Sequence, residues 1–284
     1  MTEEKNKVNG STLYLVATPI GNLADITERA KKVLTEADFI AAEDTRNSIR
    51  LLMALGIKNE LVSYHEHNKK SSGERIVERL LAGESCALIT DAGMPAISDP
   101  GEDIVSLCAS AGITVSVIPG ACAAVSALSV SGLPTGRFAF EGFLSAVRGD
   151  RKKRLKAVKG EERTLIFYEA PHKLVQTLED MSEILGGNRR ISLCRELTKL
   201  NEEIFRTTID DAIKVYKDKE PRGEYVLIVE GGYASEESAE NTISPKEQVM
   251  EYIELGIAKM DAIKKVAKER GVPKSAIYDL FTND

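Results

Sequence analysis

The chain has no tryptophan and only 5% aromatic residues, so its cores must be filled with aliphatic and small side chains. Cysteine is scarce too: Cys86, Cys108, Cys122 and Cys194 stand far apart with no C-x-x-C spacing. They read as buried thiols in a reducing compartment and give no disulfide framework. No apolar run reaches the length of a membrane span and the first ten residues form a polar tail. Neither a transmembrane helix nor a signal peptide is expected, and a cytoplasmic location is. Excess positive charge is also missing, with a formal charge of −6 and a pI near 5.4. Any nucleic-acid partner must therefore be held by a local basic patch. Finally, G-x-G-x-x-G and G-x-x-x-x-G-K-[S/T] are absent, so nucleotide sites of those types have no support.

What is present centres on Ala87 to Gly101. An apolar run from Cys86 ends at Thr90 and Asp91, and the next ten residues hold two glycines, two prolines and a second aspartate, Asp99. This is a buried strand, Cys86 to Thr90, running into a stiff polar loop. In a parallel α/β sheet that is where ligands bind.

The rest of the first half repeats the unit. Strands are expected at Thr12 to Ala17, Phe39 to Ala42, Leu61 to Tyr64 and Thr114 to Ile118. Helices are expected at Asp25 to Ala37, Asn47 to Leu55, Ile76 to Leu81 and Asp103 to Ala111. Five βα units by residue 130 make an open parallel sheet. Its strand ends carry chemistry: Glu43, Asp44 and Arg46 after the second strand, His65 and His67 after the third, and Pro119, Gly120 and Ala121 after the fifth. Asp44 and Arg46 could equally cap a helix and pair with each other. The two histidines have no third His or Cys nearby, so a polar or substrate-facing role is favoured over a metal.

After Gly136 the pattern changes. An alternating strand, Arg137 to Leu144, precedes Arg148 to Lys159, which holds seven basic residues against one acidic one. In a chain of net negative charge, that favours a polyanion partner, gripped by Arg151, Lys152, Lys153 and Arg154 among others. Strands at Thr164 to Tyr168, Arg190 to Cys194, Glu203 to Thr207 and Tyr225 to Val229, with a helix from Lys173 to Leu185, suit a mixed sheet. A polar linker, Gly231 to Ile243, leads to three helical patterns: Ser244 to Leu255, Lys259 to Arg270 and Pro273 to Phe281. They fit a helix-turn-helix with a glycine turn at Gly271, or equally a protein-docking cap. The expected domains are thus 12–133, 134–231 and 244–284.

Leu13 to Leu23, Ala42 to Arg46, Ser63 to Asn68, the Asp91 loop, Val117 to Ala121, Phe167 to His172, Arg195 to Thr198 and Gly223 to Tyr225 together resemble the ribosomal small-subunit methyltransferase I group. That group is the rRNA 2′-O-ribose branch of the tetrapyrrole methylase superfamily. The resemblance runs in order over residues 12 to 231. It implies a two-domain α/β fold, S-adenosylmethionine between the domains, a homodimer, and as substrate a cytidine 2′-hydroxyl of 16S rRNA in the small subunit. Carried over by position, the cofactor contacts would be Asp91, Gly93, Pro95, Ala96, Ile97 and Ser98, with Pro119, Gly120 and Ala121. From the second half the candidates are Phe167, Tyr168, Ala170, Leu197, Thr198, Tyr225, Val226 and Leu227.

Transfer of a methyl group to a ribose hydroxyl calls for alignment and for a proton acceptor. Asp44, His65 and Glu169 are the candidate bases, with Arg46 and Lys199 to hold phosphate or the developing oxyanion. Two other readings compete: a tetrapyrrole C-methyltransferase, and a non-enzymatic regulator acting through the C-terminal helices. The turn Thr18 to Asn22 lacks the glycine-rich form of the tetrapyrrole-using members, which speaks against the first.

Overall fold

A computed structural model describes residues 6–232, 244–270 and 272–281. The expected linker and the glycine turn of the C-terminal helices fall largely outside these. Residues 6–159 and 163–231 form one compact unit, and residues 160–162 with the described residues from 232 onward form another.

The larger unit contains two five-stranded sheets. The first is wholly parallel, in the order β3-β2-β4-β1-β5, with β1 Thr12–Val16, β2 Phe39–Ala42, β3 Leu61–Ser63, β4 Ser85–Ile89 and β5 Thr114–Ile118. β2 and β4 are buried along their whole length, which is why they read as continuous apolar runs without alternation. Because all five strands point one way, Glu43, Tyr64, Asp91, Ala17 and Pro119 emerge along a single edge.

Each crossover is a helix: α1 Glu28–Glu36, α2 Thr45–Leu55, α3 Lys69–Leu81 and α4 Glu102–Ser110, with α5 Ala123–Val130 following β5. Thr27 accepts a hydrogen bond from the Ala30 amide and sets the start of α1, so the expected helix from Asp25 is really a 3-10 turn, Leu23–Asp25, followed by a capped helix. The larger difference is α3, which begins seven residues before the expected Ile76. Lys69 to Gly73 carries no apolar stripe. Gly73 belongs there because a Cβ would stand 3.2 Å from Leu107 Cδ1, so its bare backbone lets α3 pack on α4.

The second sheet has the order β6-β7-β10-β8-β9, with β6 Phe138–Phe143, β7 Thr164–Glu169, β8 Arg190–Arg195, β9 Glu203–Thr208 and β10 Tyr225–Val229. β6 and β7 are parallel and the other pairs antiparallel. Tyr225 pairs with Glu169 on one side and Arg195 on the other, so the end of β7, the end of β8 and the start of β10 share an edge. Helices α6 Arg148–Ala157, α7 Leu174–Leu185 and α8 Ile209–Asp218 complete this half.

α6 corrects the reading of the basic run. Arg151, Leu155 and Val158 form its buried stripe, at the i, i+4, i+7 spacing of one helix face. Arg151 is 1% exposed and its guanidinium meets the equally buried Asp180 at 2.7 Å, with Arg148 on the other carboxylate oxygen. Arg151 is a core ion pair and not a grip for polyanions. Lys152 is tied to Glu183 and Arg154 to Glu141, while Lys153 and Lys156 face outward.

In the smaller unit, helices Pro245–Glu254, Lys259–Glu269 and Lys274–Tyr278 enclose Val249, Ala262, Ile263, Val266, Ala267 and Ile277. Ser244 and Glu247 form the reciprocal cap that Ser-Pro-Lys-Glu announces.

Candidate active site

The loop after β4 is fixed before any ligand arrives. Thr18 and Gly93 exchange backbone hydrogen bonds of 2.9 and 3.1 Å, and the Thr18 hydroxyl donates to the Thr90 carbonyl. The loops after β1 and β4 are thereby stitched together. Farther along, Ala96 and Ser98 hold φ of 67° and 65°, a region that costs a residue with a Cβ about 1–3 kcal/mol. Gly101 makes this bend possible: at φ 155° its missing Cβ would sit 2.8 Å from Ala96 Cβ. Strain concentrated in one loop, and imposed by its surroundings, is typical of a ligand clamp.

A second strained loop comes from the other sheet. Glu196 and Thr198, after β8, hold φ of 51° and 64°. Thr198 donates its hydroxyl to Asp25, and the Lys199 stem crosses the backbone at Gly21, where a Cβ would come within 2.4 Å of Lys199 Cγ. The two sheets are latched together at this point. Lys199 ends between Glu196 and Glu224, at 2.9 Å from each. Burial opposes its charge, but these two carboxylates more than compensate and raise its pKa.

Between the loops lies a cavity of about 480 Å³ with mainly apolar walls and a polar rim. Of the positions carried over as cofactor contacts, Asp91, Gly93, Ile97, Ser98, Tyr168, Ala170, Leu197, Tyr225 and Val226 line it. Gly120, Ala121 and Thr198 line an adjoining cavity of about 380 Å³. Pro95 and Ala96 shape the bend and Pro119 ends β5, outside both walls. Phe167 and Leu227 turn the other way: strand alternation sends them into the core beneath α7 and α8, leaving only their backbone for a ligand. Tyr168, stacked edge-on to Phe140 at 5.1 Å, is pushed up to about 12 by burial and stays a neutral phenol.

The five candidate catalytic residues are not assembled in one place. Asp44 caps α2 and is clasped by Arg46 through both carboxylate oxygens, which holds it down at about 2. The capping pair considered from the sequence is what forms, and neither residue lines the cavity. His65 lies at the end of β3, also outside the wall, with its ring 5.9 Å from that of His67. Among the described residues no group of three or more His, Cys, Asp or Glu is arranged to hold a metal ion. Glu169 does border the cavity, but its oxygens receive the Ala170 amide, the Thr177 hydroxyl and the Lys173 ammonium. Only Lys199 and Glu169 reach the cavity.

Two acidic groups stand out that the sequence did not single out as catalytic. Asp99 lines the cavity and is raised to about 6, chiefly by burial and then by Glu43 and Asp91. Glu43 is raised as well, by burial and by Asp91 and Asp44. Asp91 receives a hydrogen bond of 2.8 Å from Asn47. The signal available in sequence was weak, since Asp99 looks like an ordinary turn residue until β2 brings Glu43 beside it.

Comparison with known proteins matches residues 12–213 to the tetrapyrrole (corrin/porphyrin) methylases. The chain is 51% identical to the ribosomal RNA small subunit methyltransferase I of Halalkalibacterium halodurans, over 95% of this chain and 94% of that one. It is 48% identical to the protein of that name from Bacillus subtilis, over 95% and 93%. In fold it is similar to a uroporphyrin-III C-methyltransferase of Thermus thermophilus, with a TM-score of 0.55 at 21% identity, covering 77% of this chain and 94% of that one. A diphthine synthase gives 0.59 at 13%, covering 77% and 90%. The chain belongs to the tetrapyrrole methylases and, within them, to the ribosomal RNA small subunit methyltransferase I group.

Proposed function

We propose that this protein transfers a methyl group from S-adenosylmethionine to a cytidine ribose 2′-hydroxyl in the RNA of the small ribosomal subunit. The observation that carries the reading is the identity of about half, over nearly the whole chain, to proteins named for rRNA methylation. The cavity supports the donor. Its apolar walls suit an adenosyl group, and the Asp91 carboxylate in its lining suits a cation. When bound, the sulfonium supplies an activated methyl group.

Residues 12–133 and 134–231 would be the two catalytic lobes and 244–284 a helical unit that grips RNA phosphate. Asp91, Gly93, Ile97 and Ser98 would hold the donor from one side, and Tyr168, Ala170, Leu197 and Val226 from the other. The carbonyl-rich bend can orient a methyl group through weak C–H···O contacts, and alignment of this kind recovers roughly 7–11 kcal/mol of barrier. Glu169, saturated by three donors, positions β7 against α7. Lys199 positions the second loop, and Arg46 at the exposed start of α2, whose Nε and Nη2 are held by Asp44, would offer its remaining Nη1 to phosphate. Lys153 and Lys156 add outward positive charge on α6. A cytoplasmic homodimer completes the reading, and light scattering reads the dimer directly.

The test supplies tritiated donor to the full chain with undermethylated small subunits, free rRNA or uroporphyrinogen. Label in RNA supports the reading; label confined to the macrocycle, or no transfer at all, overturns it.

A further inference from the structure

A ribose hydroxyl is a poor nucleophile at neutral pH, and a positioned base contributes about 10²- to 10⁴-fold. The groups first considered for that task are engaged elsewhere. Asp44 is clasped by Arg46, Glu169 is saturated by Ala170, Lys173 and Thr177, and His65 lies outside the cavity wall.

Asp99 differs from all three. It stands in the cavity wall, in the same bend as Gly93 and Ser98, and no ion pair is formed by its carboxylate among the described residues. Its aim is set by a backbone with little freedom. Ser98 before it is left-handed, Pro100 follows, and Gly101 is packed on Ala96. The groups facing it are Glu43 from the end of β2, the Thr90 hydroxyl and Asp91 from the end of β4, and the phenol of Tyr168 from β7. Two are like charges and two are neutral; the Thr90 hydroxyl favours the ionised carboxylate, but burial, Glu43 and Asp91 outweigh it, so on balance the site favours taking up a proton.

We propose that Asp99 is the general base that accepts the proton of the ribose hydroxyl. This rests on the reading of the chain as a ribose methyltransferase. In the transfer the oxygen forms its bond to the methyl carbon and the carbon–sulfur electron pair stays on sulfur. The hydroxyl proton passes to Asp99 and from there to solvent. The carboxylate loses its negative charge as the sulfonium loses its positive one, so net charge in the cleft is conserved. Glu43 tunes the base from behind as a positioning residue.

The experiment compares the full chain with Asp99→Asn, Asp99→Glu and Glu43→Gln, using tritiated donor and undermethylated small subunits between pH 5.5 and 8.5. The unaltered chain is expected to show kcat/KM rising tenfold per pH unit up to about pH 6 and level above it. Asp99→Asn should lower kcat by about 10²- to 10⁴-fold and abolish the acidic limb, with donor affinity by calorimetry within about threefold. Asp99→Glu should restore part of the rate together with the limb. Glu43→Gln should keep the plateau and move the limb to lower pH, because a like charge has been removed. Thermal melting at pH 8 should show Asp99→Asn no less stable than the unaltered chain. A variant Asp99→Asn that keeps its rate or its acidic limb, or that loses activity only through lost donor binding, would overturn the assignment. Absence of RNA methylation by the unaltered chain would instead remove the reading beneath it, and the assignment with it.

Discussion

Two clusters of ionisable side chains in the larger unit are built on opposite rules. Around Asp180 every charge is compensated: Arg151 and Arg148 take its two oxygens and Lys152 stands 3.7 Å away. Burial pushes the Asp180 pKa up, but these partners outweigh it and the net shift is downward. Around Asp99 no cation among the described residues compensates: burial, Glu43 and Asp91 all push the same way and only the Thr90 hydroxyl opposes them. A fold has every reason to pair a buried charge and none to crowd like charges unless the crowding serves a reaction. The first cluster holds α6 to α7, and the second equips a cavity.

The linkage to pH separates them by sign. Asp180 titrates below its unfolded value, so its contribution is present above that value and lost as acid protonates it. Asp99 titrates above its own, so stability falls as pH rises from about 4 through about 6.

The sharpest break in the comparison is Arg151→Ala. It leaves a buried carboxylate without its main partner and should cost about 3 kcal/mol, read as a fall in urea midpoint, while the donor affinity of the folded fraction is unchanged. Next comes Gly101→Ala, which puts a Cβ on Ala96 at a positive φ. A loss of about 2 kcal/mol is expected, and here donor affinity should fall together with stability, because in the proposed reading the donor sits against this bend. Lys153→Glu with Lys156→Glu tests the outward face of the same helix that buries Arg151. Stability should stay within about 0.5 kcal/mol. The slope of log affinity for small subunits against log salt should become shallower by about 1.4 to 1.8. Thr198→Val removes the hydroxyl latch to Asp25 at a cost of about 1 kcal/mol. Of similar size is the stability gained by Asp99→Asn between pH 4 and pH 7, about 1 kcal/mol once the partly exposed position is discounted for solvent screening.

The strand-and-helix alternation of the first half was legible because parallel strands buried on both faces write themselves as apolar runs closed by polar turns. Thr12–Val16, Phe39–Ala42 and Thr114–Ile118 emerge within a residue of expectation, and the cap at Ser244 forms as its four residues announce. The first two turns of α3 were hidden because Gly73 serves packing against Leu107, which no local pattern reveals. Arg151 read as a surface cation because its partner lies on another helix, 29 residues away in sequence. In the site, the loop from Asp91 to Gly101 was visible from its glycines and prolines, since backbone constraint is a local property. The choice among acids was not, because proton affinity is set by neighbours. Asp44 has a cation two residues away, and Asp99 has an acid delivered by another strand.

The most direct measurement is the position of the transferred label in the RNA. Small subunits methylated with tritiated donor are stripped to rRNA and hydrolysed in alkali, which cleaves next to a free 2′-hydroxyl and leaves a 2′-O-methylated linkage intact. The account predicts that the label is recovered in an alkali-stable dinucleotide beginning with cytidine. Label in mononucleotides would place the methyl group on a base and contradict it.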